Sequence, residues 1–203
     1  MSMNNKMKGQ LDQDKIFFIS DTHFSHYNIM KYSDRPFKDT NEMDETMIKN
    51  WNNIVPKDGI VFHLGDFAWK EVSKWKDIRS QLNGSIHLIY GNHDERLLKQ
   101  IKDLFEEVTN YKEINVIDVD SIYQNGLQNI ILFHYPIRSW NRQFHGSWSL
   151  SGHCHPKEQR ADEHEAWMDV GVDANNFTPV TYQQVKDFCA PRYAKFREKF
   201  HDR

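Results

Sequence analysis

The amino-acid sequence predicts an α/β fold with a largely parallel first sheet and a second sheet packed on it, and three observations lead there. Short, continuous apolar runs alternate with amphipathic stretches of helical period through the first half of the chain. Two of those runs end in a glycine followed by an acid or an amide, as strands do when their carboxyl ends carry a ligand site. In the second half the apolar runs follow one another without intervening helices, which predicts a second, more antiparallel sheet.

Residues 1–14 are polar and read as a flexible leader, leaving 15–203 as a single domain. The run Lys15-Ile16-Phe17-Phe18-Ile19-Ser20 is a first strand that delivers Asp21-Thr22-His23. In extended backbone residues i and i+2 face one side, so Asp21 and His23 can reach one ion together; Asp21 equally fits as a helix cap. A helix is predicted from Asp39 to Ile54, because Asp39 and Glu42 form a capping-box pattern and Met43, Met47, Ile48, Trp51 and Ile54 recur at helical spacing. Ile60 to Leu64 is a second strand, ending in Gly65-Asp66. Val72, Trp75, Ile78 and Leu82 mark another helix. Ile86 to Tyr90 is a third buried strand, and it runs into Gly91-Asn92-His93-Asp94, with Gly91 allowing a sharp turn. Leu97, Leu98, Ile101, Leu104, Phe105 and Val108 give a third helix.

In the second half, Ile114 to Val119, Gly126 to Phe133, Ser147 to Leu150 and Trp167 to Val170 read as strands. Two of them end in imidazoles: Phe133-His134-Tyr135-Pro136 and Ser151-Gly152-His153-Cys154-His155, where His153 and His155 share a face. A last helix starts at Thr181, with Gln184 completing a capping box, and stops before Pro191.

At 203 residues the chain suits one well-buried domain, and no apolar stretch approaches the ~20 residues that cross a bilayer. Two cysteines, Cys154 and Cys189, make no disulfide framework and fit a reducing, cytoplasmic compartment. A formal net charge of −3 exerts no global pull on nucleic acid. Eleven histidines is a high count, and several stand at the ends of apolar runs. A lone Gly-Asn-His-Asp is more often only a turn, so the argument rests on what the other strands end in.

Assembled, those ends carry Asp21, His23, Asp66, Asn92, His134, His153 and His155. The order Asp-x-His, Gly-Asp, Gly-Asn-His-Asp, His, Gly-His-x-His resembles the calcineurin-like metallophosphoesterase superfamily from Asp21 to His155, about two-thirds of the chain. The runs Asp21-Thr22-His23-Phe24, Arg35-Pro36-Phe37 and Leu64-Gly65-Asp66-Phe67 further resemble its small, single-domain bacterial and phage members. One departure is Phe133, where relatives often have glycine before the isolated histidine.

The resemblance implies a four-layer αββα sandwich, with two mixed β-sheets flanked by helices, and a two-metal centre. Asp21, His23, Asp66 and His155 would hold one ion, and Asp66, Asn92, His134 and His153 the other, with Asp66 bridging. Such ligands suit Mn²⁺, Fe, Zn²⁺ or Ni²⁺, manganese being the preferred expectation. The expected function is hydrolysis of phosphoesters, as a phosphodiesterase or phosphatase. A metal-bridging hydroxide would be the nucleophile, His93 the general acid, and Asp94 the group that fixes the His93 tautomer. Substrate contacts are expected from loops that follow the ligands, at His26, Asn28, Arg35, Arg138 and Trp140, with Arg142 and His145 nearby, although each fits a surface role equally well. The stretch 141–147 reads as a possible lid. The expected partner is a small phosphorylated substrate, nucleotides included. No membrane partner is expected, and nucleic acid is disfavoured by the charge. A nuclease and a non-catalytic protein-binding scaffold on the same fold are the competing readings.

Overall fold

The computed structural model describes residues 10–69, 71–121, 126–159 and 165–200. Two five-stranded sheets are built from β1 (Gln10–Asp12), β2 (Ile16–Ile19), β3 (Ile60–His63), β4 (Ser85–Ile89), β5 (Glu107–Thr109), β6 (Tyr111–Ile117), β7 (Leu127–Phe133), β8 (Trp148–Ser151), β9 (Trp167–Asp169) and β10 (Val180–Thr181). The helices are α1 (Tyr27–Tyr32), α2 (Thr40–Ile54), α3 (Val72–Gln81), α4 (Leu98–Ile101) and α5 (Tyr182–Phe200). One sheet has the order β10-β2-β3-β4-β5 and the other β1-β6-β7-β8-β9. The result is the expected α/β sandwich of two mixed sheets flanked by helices. Among the described residues, no helix is long and apolar enough to cross a membrane.

Alternation along β2 explains why the sheets stack. Phe17 and Ile19 face the helices and pack with Met43, Met47 and Trp51 of α2 and Trp75 and Ile78 of α3. Ile16 and Phe18 face the other sheet, where they meet Ile114, Val116, Ile130, Leu132, Trp148 and Leu150. Helix α2 starts where its cap dictates: the Asp39 carboxylate accepts from Glu42 N–H, and Glu42 accepts from Lys38 N–H. Its buried residues Met43, Met47 and Trp51 repeat every four positions, one stripe against the sheet. On the outer face of the second sheet, Ile131 and Trp167 are covered by Trp140 and Ile137 from the loop after β7.

Four expectations change. Gln10 to Asp12, part of the expected leader, pair in parallel with Asn115 to Ile117 as an edge strand; residues 1–9 lie outside the described residues. The helix expected to run on to Val108 breaks into short turns and ends at Leu104, and Glu107 to Thr109 pair with β4, since β-branched Val108 and Thr109 fit a sheet edge. The second sheet is not mainly antiparallel: only β6 and β7 run opposed, whereas β1–β6, β7–β8 and β8–β9 are parallel. β7 and β8, and β8 and β9, are separated by enough residues in the chain for the crossovers that parallel pairing needs. Finally, α5 passes through Pro191 to Phe200. The proline is exposed and withholds its N–H only from the carbonyl of exposed Asp187, one turn earlier, while buried Cys189 and Tyr193 hold the face on either side. The expected start holds: Thr181 and Gln184 cap each other reciprocally.

One topological fact positions everything that follows. Strands β2, β3 and β4 are mutually parallel, as are β7, β8 and β9, and the carboxyl ends of both sets open onto the same edge.

Candidate metal centre

The loops leaving those strand ends are tied to one another by backbone hydrogen bonds. Asp21 N–H donates to Gly65 O, His23 N–H to Asp66 O, and Gly152 N–H to His134 O, all within 2.9–3.0 Å. Asp21, His23, Asp66, His153 and His155 all have φ between 47° and 72°. Left-handed backbone costs a non-glycine residue on the order of 1–3 kcal/mol and clusters at functional sites. Asp21 and His23 therefore converge on one cluster, and His153 and His155 divide between the two, through tight left-handed turns and not through the extended i, i+2 geometry the sequence suggested. Gly91 is required for a different reason than expected. Its φ is ordinary, but a Cβ there would run into Asp66 Oδ1 and the His134 ring.

Two clusters result, Asp21–His23–His155 and Asp66–His134–His153, and in each the ligand-type atoms lie within 4.8 Å of one another. Asp66 joins them: its Oδ2 is 3.5 Å from His23 Nε2 and 3.6 Å from His134 Nε2. Asn92 Oδ1 lies 3.1 Å from His134 Nε2, and His155 Nε2 lies 3.8 Å from Asp21 Oδ1. His93 stands beside Asp66, its Nε2 3.9 Å from Oδ2, while its backbone N–H donates to Asp66 Oδ1. The chain thus has two His/Asp clusters able to hold metal ions.

The electrostatics of the donor set fit a cation. Asp21 Oδ1 and His23 Nε2 are buried without a hydrogen-bond partner, which is costly unless a charge meets them. His134 Nδ1 donates to Leu64 O at 2.7 Å, and burial holds this imidazole below its usual pKa. The neutral ring therefore turns the Nε2 lone pair toward Asn92 Oδ1 and Asp66 Oδ2, acceptor against acceptor, an arrangement that a positive ion resolves. Burial, then His155 and Arg35, hold His23 well below the usual imidazole range. Burial pushes the Asp21 carboxyl up to about 8 against the pull of His155. Burial works against protonation of His155, but its hydrogen bond to Asp173 and the nearby Asp21 raise it. At pH 7 Asp21 carries a proton that a cation must displace, and the raised affinity of His155 for its proton opposes binding in the same sense. Metal binding at pH 7 should accordingly release about one proton from Asp21, with His155 adding to it, and affinity should climb with pH toward about 8. Calorimetry in two buffers of different ionisation enthalpy reads the number directly; heats independent of buffer would contradict it.

Behind the ligands lies a buried frame that sequence reasoning missed. Asp173 accepts from His155 Nδ1 at 2.7 Å, which leaves His155 Nε2 free for a ligand role. Arg35 forks onto both Asp173 oxygens at 2.9 Å, and donates to Asp21 O at 2.7 Å and Thr22 O at 2.9 Å. The signal for Asp173 was present: Gly171-Val172-Asp173 follows an apolar strand, as Gly65-Asp66 does. His63, buried at the end of β3, accepts from Gly65 N–H and meets Thr22 Oγ1 at 3.0 Å, whose hydroxyl donates to Phe67 O.

Several expected roles move. Arg35 is 4 % exposed and serves as that internal clamp, so it is not placed to grip substrate. Trp140 is buried against Ile131 and Trp167, with Nε1 donating to Ser147 O, because an indole covers the outer sheet face better than a polar loop does. Asn28 is exposed on α1, and Arg138 is exposed on the loop after β7. His26 lies beside the centre, its ring 5.4 Å from that of His23 and stacked on Trp69 at 4.2 Å; burial and His93 lower it to about 4. The 141–147 stretch is pinned, not lid-like: Gln128 Nε2 donates to Gly146 O, Tyr193 Oη to Phe144 O, and Asn141 Nδ2 to Glu113. Asp94 does not orient His93. Its buried carboxylate accepts from the backbone N–H groups of Asp66, Phe67 and Gly91 at 2.7–3.0 Å and so staples two ligand loops together, while burial and Asp66 push it up to about 7. Asp94→Asn turns an amide NH₂ against those donors and should cost about 2 kcal/mol or more, read from the denaturant midpoint. Unchanged stability with a shifted pH–rate profile would instead return Asp94 to the role of orienting His93.

Comparison with known proteins adds kinship without chemistry. No family model matches the chain. It is similar to the uncharacterized protein MJ1445 of Methanocaldococcus jannaschii, with 37 % identity over 179 residues that cover 84 % of this chain and 89 % of the relative. It is also similar to the Gene 66 protein of Mycobacterium phage L5, 27 % identical over 186 residues, covering 78 % and 86 %. The crystal structure of the protein of unknown function AQ665 from Aquifex aeolicus superposes with a TM-score of 0.63 at 24 % identity, over 85 % of this chain and 97 % of that one, and so shares the fold.

Proposed function

Since the chain belongs to one family with MJ1445 of Methanocaldococcus jannaschii, itself uncharacterized, we propose from the site's own chemistry that the protein is a metal-dependent hydrolase of phosphoester bonds, of the calcineurin-like metallophosphoesterase type. The observation that carries this reading is the placement of Asp66 Oδ2, 3.5 Å from one cluster's imidazole and 3.6 Å from the other's, with the additional imidazole of His93 at 3.9 Å. Two divalent cations there would supply positive charge to polarise a phosphoryl oxygen and to acidify a water. The mixed carboxylate, amide and imidazole donors suit Mn²⁺, Fe, Zn²⁺ or Ni²⁺, and manganese is the ion with which the reading is tested first.

The chain's own residues do the rest. Asp66 and Asn92 fix where the phosphoryl group comes to lie, because each is held by its loop. His93 is bound to that position through its backbone N–H, so its ring stays within reach of the departing oxygen while remaining 37 % exposed to solvent. In hydrolysis water oxygen bonds to phosphorus, the bond from phosphorus to the ester oxygen breaks, and His93 delivers a proton to that oxygen; the proton given up by the water restores the imidazole. Beneath them, the Asp94 staple and the Arg35–Asp173–His155 chain hold the ligand loops in their left-handed turns.

The test is hydrolysis of bis-p-nitrophenyl phosphate and p-nitrophenyl phosphate by the manganese-loaded protein. Turnover of either that disappears with chelator supports the reading. Turnover of neither by a metal-loaded protein favours a non-catalytic scaffold.

A further inference from the structure

A cleft of about 250 Å³ lies against the Asp66–His134–His153 cluster, lined by Tyr90, Asn92, Glu95, Asn110, Phe133 and Tyr135. Two of these residues adjoin the centre. Asn92 Oδ1 is 3.1 Å from His134 Nε2, and the Tyr135 ring lies 4.9 Å from that of His134 and 4.7 Å from that of His153. The cleft therefore opens beside the place that the phosphorus of a phosphoester would take under the hydrolase reading. The residues expected from sequence to contact substrate do not line it.

The lining is unusual for a neighbour of a phosphate site. Three aromatic rings contribute, with Phe133 and Tyr135 meeting at 59° and a centroid distance of 5.5 Å to form a corner. The one acidic side chain in the lining is Glu95, the other polar groups being amides and phenols, and among the described residues no Lys or Arg lines the cleft. A second phosphate would meet the Glu95 carboxylate and, among the described lining residues, no cationic side chain. An ammonium would meet a carboxylate and the electron-rich faces of Tyr and Phe.

We propose that this cleft seats an organic cation, an amine or quaternary ammonium carried on one substituent of the phosphoester. Phe133, which stands where relatives of the resembled family often have glycine, is then a specificity-determining wall and not a passive departure. This inference rests on the hydrolase reading for its kinetic arm only.

The kinetic test compares kcat/KM of the manganese-loaded protein for p-nitrophenyl phosphorylcholine and for its uncharged carbon isostere, p-nitrophenyl 3,3-dimethylbutyl phosphate. The cation should be preferred about tenfold, mainly through KM, and Glu95→Gln should bring the ratio close to one. Because the ratio is taken within each protein, a general loss of activity in the variant does not imitate the effect. A ratio near one in the native protein, or one that Glu95→Gln leaves intact, overturns the proposal. If no phosphoester is hydrolysed at all, the hydrolase reading fails and the cleft is judged by saturation-transfer NMR with choline and 3,3-dimethylbutanol. Contact by choline alone, lost in Glu95→Gln, supports the cation site, and equal or absent signals for both refute it.

Discussion

Asp66→Asn is expected to lose both cations together and to lower phosphoesterase turnover by ~10³-fold or more. The reason is the carboxylate's central position: Oδ2 faces both clusters, and Oδ1 receives the His93 N–H. Two divalent charges ~3.5–4 Å apart repel strongly, and only an anion between them compensates. A neutral amide keeps the shape and removes that charge. Elemental analysis of the purified variant after manganese loading should find little bound metal, while the circular dichroism spectrum stays native, because the fold's apolar layers do not involve this residue. Retention of one full equivalent with substantial turnover would mean that the two clusters act independently.

His93→Ala should behave in the opposite way. Both cations stay, since His93 belongs to neither cluster, and turnover falls by ~10²–10⁴-fold for an ester with a poor leaving group. With p-nitrophenyl esters the loss should be smaller, because that phenolate departs without a proton. The dependence on leaving group is the informative part. An equal loss for good and poor leaving groups would point to a role in positioning the phosphoryl group, and undiminished turnover of the poor ester would remove His93 from the mechanism.

The parts of this molecule that the sequence made legible are those written in local order. Strand ends bearing Asp21, His23, Asp66, Asn92, His134, His153 and His155 could be read because an apolar run, a turn and a ligand-type residue adjoin in the chain, and parallel topology brings such ends to one edge. What escaped depends on partners distant in sequence. Arg35 looked like a solvent or phosphate contact because its partner Asp173 is 138 positions away. Asp94 looked like the natural mate of adjacent His93, yet its carboxylate is drawn beneath the loop by Asp66 and Phe67 N–H groups on another strand's end. Left-handed turns at Asp21 and His155 carry no local signature when the residue is not glycine, because neighbouring loops and not intrinsic preference impose them. Val108 and Pro191 show the same limit in the fold: sheet pairing overrode the helical period at one, and packing of α5 overrode the helix breaker at the other.

Anomalous scattering from crystals soaked in manganese tests the central claim most directly. Two peaks ~3.5–4 Å apart are expected, one among Asp21, His23 and His155, the other among Asn92, His134 and His153, with Asp66 touching both. No peak within reach of Asp66, or a single ion that leaves one cluster bare at saturating manganese, would contradict it.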